Sequence, residues 1–203
     1  MDSLHKEIPI CAWNSEYGAD TNVQYHSDAP KRQDYTEEYQ SYYHEKMLQA
    51  IQERPYLWCS FVWNMFDFAA DARDQGGEPG MNHKGLMTFD RKVKKDSFYI
   101  YKAYWSKEPF VHLCGSRYVD RTEAVTTVKV YSNQTKVALY ANGKLLEEKT
   151  GNKVFEFRVP LNGEVRLEAV SGQAKDTSTI RRVSQPNPDY KLKKSKGKSQ
   201  NWV

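Results

Sequence analysis

The chain has 203 residues, of which 39% are hydrophobic and 28% charged, enough to bury a core and too apolar for a disordered polypeptide. Its net charge of +4 is concentrated between Pro186 and Val203; without that stretch 25 basic and 25 acidic residues remain, so the body has no nucleic-acid footprint and the basic end reads as a tail or linker. No 18-residue apolar run is present, the first residues lack the apolar core of a signal peptide, and three separated cysteines with five scattered histidines give no zinc spacing.

In chain order, the first signal is Ile8 to Trp13, a continuous apolar run as expected for a parallel strand covered on both faces. Polarity switches abruptly at Asn14-Ser15-Glu16-Tyr17-Gly18. After a loop to about Gln33, Asp34 stands three residues before Glu37, which predicts a reciprocally capped helix over 35–53. Tyr39, Tyr43, Met47 and Ile51 recur every four residues and mark its expected apolar face. Tyr56 to Phe68 predicts a second buried strand, 71–85 a Gly-, Asp- and Pro-rich loop, and Lys94 to Trp105 a second amphipathic helix. Strand–helix–strand–helix implies parallel pairing with a right-handed crossover. Cys11, Cys59 and Cys114 each sit in strand-like runs, where free thiols are expected.

Beyond Pro109 the period changes to two. Short runs at 110–114, 125–132, 136–141, 144–149, 154–161, 163–171 and 177–183 predict half-buried antiparallel strands, with Asn142-Gly143 and Asn162-Gly163 as hairpin turns. Seven such strands predict an immunoglobulin-like β-sandwich.

A carboxylate just past the end of a buried parallel strand holds the position where barrel enzymes place catalytic groups, which singles out Glu16. Trp63 occupies the equivalent place on the next strand and could stack on a sugar ring. Residue types alone leave a second reading open, in which Glu16 caps the following turn and Trp63 is core.

Several motifs fall in order along the chain: Asn14-Ser15-Glu16-Tyr17-Gly18-Ala19-Asp20, Thr36-Glu37-Glu38-Tyr39-Gln40, Val62-Trp63-Asn64-Met65-Phe66-Asp67-Phe68, Gly85-Leu86-Met87-Thr88-Phe89-Asp90-Arg91, Lys94-Lys95-Asp96-Ser97-Phe98-Tyr99, Tyr101-Lys102-Ala103-Tyr104-Trp105 and Leu139 to Lys144. Together they resemble glycoside hydrolase family 2, the family of β-galactosidases, β-glucuronidases and β-mannosidases. The resemblance implies the last two βα units of a TIM (β/α)8 barrel over 1–107, an immunoglobulin-like sandwich over 108–185 and a basic tail over 186–203. It also implies a retaining mechanism with two carboxyl groups ~5 Å apart, Glu16 attacking the anomeric carbon and a second glutamate serving as acid/base.

The family's acid/base glutamate follows an Asn in an earlier barrel strand, and this sequence contains no Asn-Glu pair. The expectation is therefore a fragment that is inactive alone, completed by the missing barrel portion or a second copy of the protein. The resemblance implies a β-linked sugar as substrate, no cofactor is expected, and the residues themselves give no sign of a metal, membrane or nucleic-acid partner. Trp63 to Phe68, the Asp90-Arg91-Lys92-x-x-Lys95-Asp96 stretch and the attached sandwich favour a β-galactosidase; Asn82-His83-Lys84 matches the Asn-x-Lys signature by which β-glucuronidases hold the sugar carboxylate, which makes Asn82 and Lys84 the further substrate-binding candidates. For the sandwich alone, the alternative is a structural or carbohydrate-binding module.

Overall fold

A computed structural model describes residues 2, 6, 12–74 and 78–192. Strand β1 (Ala12–Tyr17) and strand β2 (Leu57–Val62) pair in parallel, connected by helix α1 (Glu37–Gln52). The first strand thus runs up to Tyr17 and includes Glu16, where the apolar run ended its expected span at Trp13; residues 8–11, including Cys11, lie outside the described residues. Polar residues continue the strand because the neighbouring strand supplies their backbone partners. Short strands β3 (Phe68–Ala69) and β4 (Met81–Asn82) pair antiparallel at the base of the loop between them, and helix α2 (Asp96–Trp105) follows. Residues 75–77 of that loop are not among those described.

Thr36, not Asp34, caps α1: its hydroxyl accepts from the amide of Tyr39 at 3.2 Å, while Asp34 fixes Thr36 from behind, accepting from its hydroxyl at 2.8 Å. The fully buried face also differs from the one the four-residue apolar repeat marked. It consists of Glu37, Gln40, Ser41, His44 and Leu48, while Tyr43, Met47 and Ile51 pack at its margin. Polar residues can face inwards here because partners meet them. Gln40 donates to the carbonyl of Ala19 at 2.8 Å and accepts from Ser97 at 2.6 Å, and His44 Nδ1 lies 2.8 Å from the hydroxyl of Tyr101.

Eight further strands follow: β5 (Val111–Leu113), β6 (Asp120–Arg121), β7 (Val125–Ser132), β8 (Lys136–Ala141), β9 (Lys144–Thr150), β10 (Lys153–Pro160), β11 (Glu164–Ser171) and β12 (Ala174–Arg182). They form two sheets, β10-β7-β5 and β6-β12-β11-β8-β9, with a core of Val128, Val130, Phe155 and Phe157 from the first against Leu139, Leu167, Ala169 and Ile180 from the second. This is a β-sandwich, and the period-two reading of these strands holds. Asn142 and Gly143, with φ of 51° and 77°, close the β8–β9 hairpin as expected. Asn162-Gly163 does not close a hairpin. β10 pairs with β7 and β11 with β8 and β12, so this turn carries the chain from one sheet to the other. A local turn signal reports a reversal of direction, not which strand lies alongside.

The end of the described chain is docked as well. Residues 188–190 form a short 3-10 turn in which Tyr190 packs edge-on against His26 and Tyr118, and its hydroxyl accepts from the amides of Val119 and Asp120 at 3.2 Å. Residues 193–203 lie outside the described residues.

A buried charge network ties the helices to the sandwich. Arg117 donates to both carboxylate oxygens of Glu37 and reaches Asp96 at 3.3 Å. Asp96 also accepts from His112 Nε2 at 2.9 Å and the amide of Gly115 at 2.6 Å, and His112 Nδ1 lies 3.4 Å from Asp176. Burial works against the imidazolium of His112, but the hydrogen bonds to Asp176 and Asp96 outweigh it and raise its pKa to about 9. A raised folded-state pKa contributes stability that is complete below the ordinary histidine value near 6.5 and is lost as pH rises through 9. Between pH 6 and 9.5 the chain should therefore lose about 3 kcal/mol of unfolding free energy that a His112→Gln variant does not lose. Urea titrations of both proteins at the two pH values measure this difference, and parallel losses would contradict it.

Candidate functional site

The carboxyl ends of β1 and β2 meet at a crowded backbone crossing. Between the pairs Asn14↔Ser60 and Tyr17↔Val62, two residues of β1, Ser15 and Glu16, stand opposite the single residue Phe61. Such a bulge re-aims side chains at a sheet end. Glu16 is exposed, and no described residue bonds its carboxylate. Tyr17, next to it, is buried and anchors the strand end: its hydroxyl accepts from that of Tyr101 at 3.0 Å, which in turn adjoins His44. Burial holds the Tyr17 and Tyr101 hydroxyls above the usual tyrosine range, and burial with the nearby Lys95 charge pulls His44 down to about 3, so this chain of groups stays neutral.

Gly18 then passes directly over the backbone of the next segment. A Cβ at Gly18 would lie 1.9 Å from the carbonyl oxygen of Trp63 and 3.6 Å from Cβ of Lys84. Only glycine allows this approach. The amide of Trp63 donates to Tyr17 at 2.7 Å, and the peptide between Trp63 and Asn64 is cis. The Trp63 ring is 37% exposed and meets Phe68 edge-on with centroids 5.7 Å apart. Of the four residues singled out in the sequence, the structure thus brings Trp63 and Lys84 together at Gly18, two residues from Glu16.

Asn82, the other candidate in this turn, stands two residues before Lys84. It is buried, and its Oδ1 accepts from the amide of Lys84 at 3.0 Å, closing the turn that presents that lysine. The Lys84 side chain lines a cleft of about 550 Å³ together with Gly18, Asp20, Arg32, Tyr35 and Tyr39. Its ammonium has no ion-pair partner among the described residues.

Residues that the sequence reading passed over hold this turn in place. Asp67 is buried and accepts from the amide of Gly85 at 2.9 Å and from Lys95 Nζ at 2.7 Å. Lys95, fully buried, also donates to the carbonyls of Thr21 and His83, each at 3.1 Å. Burial draws the Lys95 ammonium below the ordinary lysine range, against the attraction of Asp67. Asp20 accepts from the amide of His83 at 3.1 Å and from Arg73 at 3.2 Å. A signal existed for Asp67, a lone charge between Phe66 and Phe68 in an apolar-rich segment, where a charge rarely sits without a partner; Lys95, inside the charged run from Asp90 to Asp96, carried none. What the sequence does not reveal is that the two partners are each other.

With this arrangement established, comparison with known proteins places the chain. It is 41% identical over 150 residues to a β-glucuronidase of Bacteroides fragilis, an alignment that covers 70% of this chain and 22% of that protein. Among solved structures, an FMN-binding β-glucuronidase from Facaelibacterium prausnitzii L2-6 superposes with a TM-score of 0.92 at 49% identity, covering 95% of this chain and 30% of the other. Its homologues are glycoside hydrolases. A putative β-galactosidase from Bacteroides fragilis also matches, with a TM-score of 0.81 and 38% identity, over 92% of this chain and 30% of that one. No family model matches the chain. These homologues are consistent with membership of glycoside hydrolase family 2, and the chain spans less than a third of the length of the relatives it matches. The preference for a β-galactosidase is corrected: proteins described as β-glucuronidases recur in both comparisons and favour the second reading. The Trp63–Phe68 and Asp90–Asp96 stretches that tipped the choice are outweighed by these comparisons.

Proposed function

We propose that this chain is the carboxy-terminal part of a retaining β-glucuronidase: two βα units of a TIM barrel over 1–107, an immunoglobulin-like sandwich over 108–185, and a basic tail or linker over 186–203. Glu16 is the nucleophile. It attacks the anomeric carbon, the aglycone oxygen leaves with a proton from a glutamate elsewhere in the longer protein, and water then hydrolyses the glycosyl ester with that same glutamate as base. Trp63 offers a ring face to the sugar. Asn82 acts through the turn it closes, and Lys84 pairs with the C6 carboxylate by a charge-assisted hydrogen bond. The exposed aromatic side chains of β2, Trp58 at 65% and Phe61 at 59%, are the surface against which the remaining barrel packs.

The observation that carries the choice of sugar is Lys84, an ammonium without an ion-pair partner among the described residues, set at a cleft beside Gly18 and Trp63. A galactoside offers only a hydroxymethyl group at C6 and leaves that charge unanswered. In the whole protein, Lys84→Ala should lower kcat/KM for nitrophenyl β-glucuronide about 100-fold, the cost of a charged hydrogen bond, and change nitrophenyl β-galactoside hydrolysis little. Higher wild-type activity on the galactoside, or equal losses on both sugars, would overturn the assignment.

A further inference from the structure

We propose that Lys95 is a positioning residue for uronic-acid recognition: from the protein interior it sets the backbone from which Lys84 reaches the sugar carboxylate. This rests on the glucuronidase reading of the site. Lys95 is completely buried and cannot touch a ligand in the cleft. Its ammonium sits at the intersection of the three segments that build the subsite, bonding Thr21 on the loop after β1, Asp67 after β2, and His83 in the Asn82–Lys84 turn.

The turn has little freedom once those bonds exist. His83 donates its amide to Asp20, and its carbonyl accepts from both Thr21 and Lys95. Lys84 donates its amide to Asn82 and accepts from the amide of Asn64 at 3.2 Å. Gly85 donates to Asp67, and its carbonyl accepts from Gln40 at 3.2 Å. Gly85 is itself pressed on the backbone between β2 and β3, where a Cβ would lie 2.1 Å from the amide nitrogen of Asp67. Lys95 and Asp67 therefore bracket Lys84 on both sides, one holding the residue before it and the other the residue after.

Stability alone is a poor explanation for a lysine here. A buried ion pair recovers its desolvation cost only partly, and an apolar side chain of similar volume commonly serves the fold as well or better. What an apolar side chain does not supply is three directed donors that fix the relative placement of three loops. A substrate-binding cation displaced by ~1 Å loses much of its effect on the transition state.

The test compares two covalent probes of the nucleophile on the whole protein carrying this chain: a cyclophellitol aziridine with a 6-carboxylate and its neutral 6-hydroxymethyl counterpart. Mass spectrometry follows labelling of Glu16. Wild type should react faster with the acidic probe. Lys95→Met should lower the acidic-to-neutral rate ratio about thirty-fold while neutral labelling changes less than about three-fold. In a Lys84→Ala background the same substitution should produce no further fall, because both act through one contact. Should Lys95→Met not fold, Asp67→Asn keeps the side-chain volume and both carbonyl acceptors, and should lower the ratio several-fold. An unchanged ratio, or equal losses with both probes in a folded variant, overturns the positioning role and leaves Lys95 a structural residue. Wild type labelled by neither probe overturns the glucuronidase reading itself, and the inference with it.

Discussion

Replacing Glu16 with Gln should reduce glycoside hydrolysis by the whole protein at least ~10^4-fold, a loss of about 5.5 kcal/mol of transition-state stabilisation. The substitution is nearly isosteric at an exposed side chain on the bulged end of β1, and no described residue depends on its carboxylate for a hydrogen bond. The fold should therefore be unaffected, and melting temperatures of the two proteins should agree closely. What disappears is the anionic oxygen proposed to attack the anomeric carbon. A Glu16→Ala variant adds a positive signature: azide can enter the space vacated, restore turnover, and give a glycosyl azide of configuration opposite to that of the normal product. Residual activity above about 1% in Glu16→Gln, or azide rescue with unchanged configuration, would assign the nucleophile elsewhere.

The second large effect concerns Arg117, which lies in the sandwich part of the chain, far along the sequence from the cleft. Arg117→Met should destabilise the folded chain by about 3–5 kcal/mol, because it removes the cation that pairs with Glu37 and leaves that carboxylate buried beside Asp96, which keeps His112 as its partner. Burial and the neighbouring Asp96 already hold the Glu37 carboxyl above the usual range. A carboxyl with a raised folded-state pKa takes up a proton more readily in the folded state, so stability falls as pH rises through its titration. The penalty in Arg117→Met should accordingly be greatest at neutral pH and smaller at pH 5, where protonation relieves the repulsion. Urea unfolding at both pH values measures this. A loss below about 1 kcal/mol at pH 7 would mean that water or another cation replaces the guanidinium.

How far these features were legible depended on the range of the interaction behind them. The strands of the sandwich were readable because alternation such as Phe155-Glu156-Phe157-Arg158 reports a local fact, one buried and one wet face. The Asn142-Gly143 hairpin was readable for the same reason. The buried face of α1 was not: apolar periodicity cannot find Glu37, Gln40 and His44, whose inward orientation depends on Arg117, Ser97 and Tyr101, 57 to 80 positions away. The sheet-to-sheet turn at Asn162-Gly163 escaped likewise, since strand partners are not a local property. Glu16, Trp63, Asn82 and Lys84 were singled out by motif and position; that Asn82 also closes the turn presenting Lys84 was not legible. Asp67 and Lys95 lay within the quoted motifs, but their pairing across 28 residues had no sequence signature.

The placement of the Lys95 clasp has a consequence for biosynthesis. A ribosome releases Thr21, Asp67 and the Asn82–Lys84 turn before the lysine that joins them, which lies 74 positions after the first of these partners. Arg117, which secures the start of α1, follows Glu37 by 80. Until both have emerged, the loops carrying Glu16 and Lys84 are joined only by backbone contacts and by Asp20, without the buried cations. A nascent chain that ends before Lys95 would thus hold Glu16, Trp63 and Lys84 and still lack the lysine that joins their loops, so the clasp closes onto loops already made.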